Sequence, residues 1–78
     1  MAQNLIFSCW GLAEELLSGG RVLESINTLE NLLRGVGFER EPLWEVETRL
    51  RLAQIYLKHT RNFNYCKEHL MRCVGIVA

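Results

Sequence analysis

The apolar residues of this chain recur with the period of an amphipathic helix, most clearly over residues 44–60. Val46, Leu50, Ala53 and Leu57 fall on one side of that helix. The side is widened by three further apolar residues: Leu52, Ile55 and Tyr56. Because so wide an apolar surface needs neighbours on more than one side, we expect the rest of the fold to pack around this segment.

The polar residues of the same segment also favour a helix. Glu45 and Glu47 each stand four residues before an arginine, Arg49 and Arg51, which is the better order for helical ion pairs. Pro42 stands just ahead, where its missing N–H costs nothing. Periodicity, ion pairs and start signal therefore all predict a helix here.

Three other segments are predicted to be helical, at residues 4–17, at 21–34, and from about Asn62 to residue 77. Ser18-Gly19-Gly20 ends the first, since glycine adopts the left-handed cap conformation at little cost. Asn62 is a suitable N-cap, and residues 35–42 are predicted to form the one long loop. The first helix carries two apolar rows: Leu5, Cys9, Leu12 and Leu16 form the first, and Ile6, Ala13 and Leu17 form the second. In the other two helices the residues expected to face inward are Val22, Ile26, Leu29, Leu33, Phe63, Cys66, Leu70, Cys73 and Val74.

The second half of the chain repeats the first. Ala13 and Ala53 are 40 positions apart, whereas Leu29 and Leu70 are 41 apart, so the extra residue is expected in the second turn. A small residue followed by large ones at helical spacing is typical of tetratricopeptide repeats. We therefore predict an all-α fold of two antiparallel helical hairpins packed as tetratricopeptide-like repeats, the start of an α-solenoid. Residues 1–78 would form one domain, with hairpins at about 4–34 and 43–77.

Composition narrows the classes of function. Nine basic and nine acidic residues cancel, so nothing favours direct contact with nucleic acid or a membrane surface. Three cysteines are an odd number, and no signal peptide precedes them. We expect reduced thiols in an intracellular protein.

Several motifs resemble a known family. Trp10-Gly11-Leu12-Ala13-Glu14 resembles the opening of the cohesin loading factor subunit, the tetratricopeptide-like partner in the chromatid cohesion loader. Residues 45–51 resemble the start of the third helix of that family. Four residues have the spacing of its fourth helix: Asn62, Lys67, His69 and Leu70. The resemblance runs from Trp10 to about Cys73 and matches the N-terminal end of a family whose members are several times longer.

The resemblance implies a nuclear protein whose helical superhelix wraps an extended N-terminal segment of the large loader subunit. The chain would then associate indirectly with cohesin and chromatin in sister-chromatid cohesion. In tetratricopeptide-like arrays the first helix of each hairpin lines the concave side. The residues implied to bind the partner on that side are Trp10, Glu14, Leu17, Leu50, Gln54 and Leu57. A generic tetratricopeptide-like adaptor unrelated to cohesin is the alternative.

Candidate chemistry is sparse. Cys66, His69 and Cys73 share a helix face and could ligate a metal. No Cys-x-x-Cys pair accompanies them, so we expect the cysteines to act as small hydrophobic residues, with no metal or cofactor bound. The chain has no aspartate to orient His59 or His69 as an acid–base group, so a small helical enzyme is disfavoured and we expect no catalysis.

Two further groups have a structural and a functional interpretation. Trp10 and Trp44 could anchor a partner, but we expect them to seal packing layers. The basic residues between 49 and 61 could contact DNA or an acidic protein, but we expect a solvated face instead.

Overall fold

The computed structural model describes residues 2–36, 38 and 41–78, and over these residues its regular secondary structure is entirely helical. The elements are α1 (Ala2–Ser18), α2 (Val22–Gly35), α3 (Pro42–Ile55), a π-helical turn (Tyr56–Thr60) that continues α3, and α4 (Phe63–Val77). No strand occurs in the described part, which confirms the predicted all-α class. Nowhere in these ranges is a helix long and apolar enough to cross a membrane.

The chain divides into two compact units, Met1–Gly37 and Phe38–Ala78. Helix α1 packs on α2 in the first unit, and α3 packs on α4 in the second. In the second unit Val46 contacts Cys73 and Arg49 contacts His69, so the partners advance along α3 as they recede along α4. That pair is therefore antiparallel. Tetratricopeptide-like packing and a single domain over residues 1–78 stay predictions.

The turn between α1 and α2 is closed by backbone hydrogen bonds. Gly20 has a φ of 79°, in the left-handed region that glycine adopts without strain. The N–H of Gly20 donates to the carbonyl of Leu17 at 3.0 Å, and that of Arg21 donates to Leu16 at 2.8 Å. These two bonds form a Schellman motif, so the glycine stop predicted from sequence is where the helix ends.

The turn between α3 and α4 is built differently. The carbonyl of Tyr56 accepts hydrogen bonds from Thr60 Oγ1 at 2.9 Å, from the N–H of Asn62 at 3.0 Å and from the N–H of Arg61. Arg61 occupies the left-handed region with a φ of 58°. A π-helical turn accommodates one inserted residue, and it lies in the turn where the repeat offset predicts the extra residue. Asn62 caps α4 as predicted, because its side chain accepts from the N–H of Tyr65 at 3.2 Å.

The loop predicted over residues 35–42 is shorter at both ends. Gly35 is the last residue of α2, and Pro42 is the first residue of α3. Residues 37, 39 and 40 lie outside the described part of the chain. Phe38, which the sequence analysis left in the loop, is buried, and its carbonyl accepts from the N–H of Glu41 at 3.0 Å.

The buried side of α1 is the second of its two apolar rows. Ile6 and Ala13 of the second row are buried, whereas Leu5 and Leu12 of the first row are about half exposed. On α2 the fully buried hydroxyl of Ser25 donates to the carbonyl of Ala13 at 2.7 Å. This bond keeps a polar group satisfied where the two helices approach closely. The other buried residues of α2 are Ile26, Leu29 and Leu32.

Helix α3 carries apolar residues on opposite sides, and four of the seven predicted core residues are buried: Leu52, Ala53, Ile55 and Tyr56. Leu50 and Leu57 are exposed, which corrects that prediction. Thr48 is fully buried, with its hydroxyl donating to the carbonyl of Trp44 at 2.8 Å. The buried residues of α3 and the π-helical turn are Thr48, Leu52, Ala53, Ile55 and Tyr56.

The buried side of α4 is narrow. Cys66, His69 and Cys73 are buried. Three residues predicted to face inward are exposed instead: Phe63, Leu70 and Val74. They lie at one edge of the buried face, which in this structure needs only small side chains and one imidazole to pack on α3.

Candidate partner-binding surface

The predicted binding residues of the second unit lie on one exposed side of α3 and of the π-helical turn that continues it. Leu50 is 37% exposed and Leu57 is 45% exposed, with the exposed Gln54 between them. Leu43, which is 67% exposed, continues the line at the start of the helix. Leu43 is not in the predicted set, although its spacing of seven residues from Leu50 was a usable signal. We call Leu43, Leu50 and Leu57 the leucine row.

The predicted binding residues of the first unit lie on α1. Glu14 is exposed, and Trp10 and Leu17 are half-buried. Phe7, one helical turn before Trp10, is 42% exposed, and the two ring centroids are 5.3 Å apart with the planes tilted by 44°. Phe7 therefore adds an exposed aromatic side chain that is not in the predicted set.

The structure thus places the six predicted residues in two sets of three, one in each compact unit. Each set occupies the first helix of its pair and combines apolar with polar side chains. That the two sets form one surface stays a prediction.

Charged residues on α3 are held in the predicted ion pairs. Arg49 Nε is 2.8 Å from Glu45 Oε2, and Arg51 Nε is 2.9 Å from Glu47 Oε2. Arg49 Nη1 also lies 3.1 Å from Nδ1 of the buried His69. Because a guanidinium can only donate, Nδ1 must accept and the ring proton resides on Nε2. Arg49 therefore joins α3 to α4.

The imidazole of His69 is also fixed by aromatic rings. It stacks on Tyr56 with a centroid distance of 5.9 Å and an interplanar angle of 13°. The ring of Tyr56 in turn contacts the ring of Tyr65, with a centroid distance of 5.2 Å. With the ring confined by Arg49 and Tyr56, His69 serves to connect α3 and α4.

The two buried cysteines of α4 pack against α3. Cys73 Sγ lies 3.7 Å from the carbonyl oxygen of Val46, to which the thiol donates. Burial raises the pKa of the Cys73 thiol, Arg49 opposes this, and Glu45 adds to it, so the thiol stays neutral. No three metal-ligating side chains come together anywhere in the described ranges.

Two clefts lie outside the predicted surface. An open groove of about 610 Å³ runs along α4 beside Glu45, and its charged residues have both signs. A smaller and mostly apolar cleft of about 290 Å³ lies between Leu5 and Cys9 of α1 and the C-terminal half of α2. None of the six predicted binding residues lines either cleft.

Comparison with known proteins gives one informative similarity. The chain is 39% identical over 64 residues to the sister chromatid cohesion protein SCC4 of Arabidopsis thaliana. The match covers 81% of this chain and 8% of the plant protein, so the chain spans a small part of that relative. No family model matches the chain, and no solved structure matches it.

Proposed function

We propose that this chain is a protein-binding helical module of the cohesin loader, corresponding to the N-terminal part of its tetratricopeptide-like subunit. It acts in the nucleus, in sister-chromatid cohesion, and it binds a protein rather than catalysing a reaction. The observation that carries the proposal is the similarity to the plant cohesion protein, which extends over most of the chain.

The exposed sides of α1 and α3 support a binding role. Monomeric proteins seldom leave large apolar side chains exposed in a line, and such lines commonly mark interaction sites. Leu50 and Leu57 supply apolar area, while Glu14 and Gln54 can hydrogen-bond a peptide backbone that has no partner of its own. The partner in this proposal is an extended N-terminal segment of the large loader subunit, through which the chain associates with cohesin and chromatin.

Binding to this short module should be weak. Two helical pairs offer limited contact area, and an extended segment loses conformational freedom when it binds. We expect a Kd in the micromolar range, which corresponds to roughly −8 kcal/mol. A longer chain carrying further repeats would bind more tightly because it contacts more of the segment.

The direct test is calorimetric titration of the N-terminal segment of the large loader subunit into this chain. Gln54→Ala and Leu57→Ala should each weaken binding by roughly threefold to tenfold, as expected for truncation of a contributing contact. Asn27→Ala and Leu23→Ala are matched controls, since both residues are exposed on α2 and outside the proposed surface. Circular dichroism checks that helicity is retained.

Two results would count against the proposal in different ways. Unchanged affinity in both variants, with helicity retained, would move the binding surface elsewhere. Failure of both this chain and a longer one to bind the segment would refute the assignment to the cohesin loader and favour a generic adaptor. Capture of nuclear proteins by the chain, followed by identification of the large loader subunit, separates the same two possibilities.

A further inference from the structure

The leucine row has a regular geometry that specifies its partner more closely. Leu43, Leu50 and Leu57 are seven residues apart, which places successive leucines about 10 Å apart along the helix axis. Glu47 and Gln54 stand four residues after the first two leucines, on the same side of the helix. Apolar and polar side chains therefore alternate along this face.

This alternation suits an extended partner better than a helical one. A partner helix has its backbone groups satisfied internally, and it would bury Glu47 and Gln54 in every second layer of the contact. An extended segment has free backbone groups that these side chains can bond. In the polyproline II conformation the chain advances about 3.1 Å per residue and returns to the same side every three residues. Three residues therefore span about 9 Å, close to the separation of the leucines.

The charge along the row is uneven. No acidic residue occurs between Glu47 and Glu68, and Lys58, His59 and Arg61 are exposed at the C-terminal end. Within the described part of the chain, neither Lys58 nor Arg61 has an ion-pair partner. Acidic residues in a partner would therefore be attracted to this end of the row.

We propose that the leucine row binds an extended, polyproline II-like segment with an apolar side chain at every third position and acidic residues beside Lys58 and Arg61. This inference rests on the proposed function and adds to it the pattern that the partner must carry. It also makes Leu43, Lys58 and Arg61 part of the binding surface.

The test uses labelled synthetic peptides of about twelve residues, enough to span the row in this conformation. The first peptide has leucine at every third position and glutamates at one end. Comparison peptides replace the glutamates with lysines, or place the same leucines seven residues apart in a helix-forming sequence. Placing the glutamates at either end of otherwise identical peptides tests both directions of binding. Fluorescence anisotropy measures the affinity of the chain for each.

We expect the glutamate peptide in one of its two directions to bind at least about tenfold more tightly than the lysine peptide at low salt. Leu43→Ala should weaken it about fivefold. Lys58→Glu should weaken it by a similar factor that shrinks as salt is raised. The matched controls are Leu23→Ala, at a residue that is 70% exposed, and Lys67→Glu on α4, and both should bind as the parent does.

Three results would overturn the inference. These are preference for the helical peptide, equal binding of the glutamate and lysine peptides, and self-association of the chain that Leu43→Ala abolishes. The same variants titrated with the loader segment separate this inference from the proposed function. If Gln54→Ala and Leu57→Ala weaken that binding while Leu43→Ala and Lys58→Glu do not, the function stands and the inference fails. If the patterned peptide binds but the loader segment does not, the inference stands and the function fails.

Discussion

Small side chains lie at equivalent points of the two helical pairs. Ala13 and Ala53 are both 3% exposed, and Ser25 and Cys66, at matching positions of α2 and α4, are buried as well. Small side chains let helix backbones approach closely, and the hydroxyl of Ser25 uses that closeness to bond the opposite helix. These positions are therefore sensitive to volume.

Ala53→Leu should destabilise the chain because three added heavy atoms have no space at this buried position. We expect a loss of about 1–3 kcal/mol in the free energy of unfolding, measured by chemical denaturation. Gln54→Leu places the same side chain at the neighbouring exposed position, where it has space, and should have little effect. An Ala53→Leu variant as stable as the parent would show that Ala53 is not at a close approach.

Cys73 should make stability depend on pH in the alkaline range. Burial favours its neutral thiol in the folded state, so the unfolded chain ionises at lower pH than the folded one. The stability from this residue is therefore complete below the ordinary thiol pKa, about 8.5, and is lost as pH rises through the higher folded pKa. Under reducing conditions, the stability difference between the parent and Cys73→Ala should shrink above that pH. A difference that stays constant up to pH 10 or so would contradict this.

At the scale of elements, both interhelical turns contain a residue in the left-handed region, but the residue type differs. The first places a glycine in the left-handed region, and the second places Arg61 there. An L-residue in this conformation costs roughly 1–2 kcal/mol, whereas glycine costs folding about 0.5–1 kcal/mol relative to alanine because it loses more entropy when the chain folds. The second turn is therefore the more strained of the two.

Gly20→Ala and Arg61→Gly should change stability in opposite directions. A Cβ at Gly20 would meet no atom within 4 Å, so Gly20→Ala isolates the backbone cost, and we expect a loss of about 1 kcal/mol. Arg61→Gly should gain up to about 1 kcal/mol. Gly11→Ala is the control, because a Cβ at Gly11 would also meet no atom within 4 Å and Gly11 lies inside α1. This variant should be more stable than the parent by about 0.5–1 kcal/mol, since alanine loses less entropy than glycine in a helix. Urea denaturation of the three variants checks the signs.

The helices were predictable from the sequence, but the side that each one buries was less so. Gly20, Pro42 and Asn62 act through local backbone chemistry, so they give the helix ends almost directly. In α3 the row that contains Leu52 and the row that contains Leu50 are both apolar, and only the position of α4 decides which is buried. Thr48 escaped prediction because its hydroxyl bonds the preceding turn of its own helix.

The residues of the candidate surface also divide into those that the sequence predicts and those that it does not. The repeat pattern places Leu50, Gln54 and Leu57 on the binding side, although helical spacing alone places both leucines in the core. Leu43 and Phe7 were missed because an exposed apolar residue looks like a core residue when only its own helix is considered. Identifying such residues needs the positions of neighbouring helices, which depend on contacts distant in sequence.

At the scale of the whole molecule, apolar surface on α4 should limit stability. Four residues along one side of α4 are exposed: Phe63, Leu70, Val74 and Val77. Helical-repeat arrays generally need about three repeats before neighbouring units bury each other's faces. A chain with two helical pairs is therefore expected to be marginally stable and to associate through this side.

We expect the thermal midpoint of this chain, followed by circular dichroism, to rise with protein concentration. Val74→Lys should reduce that dependence, because it places a charge on the exposed side of α4 without altering the buried one. Leu23→Lys, at an equally exposed leucine of α2, is the control. A sharp, concentration-independent transition above about 65 °C would show instead that the fold is complete as it stands.

The number of residues in the π-helical turn determines which side of α4 faces α3. Successive residues of an α-helix are rotated by about 100°, so the screw phase of α4 depends on how many residues precede it in the turn. Removing one residue between Leu57 and Thr60 would leave the sequence of α4 unchanged but would rotate α4 about its own axis by about a quarter turn. Cys66 and His69 would rotate away from α3, and neighbouring residues would replace them. The length of this turn thus determines the rotational orientation of α4 about its axis.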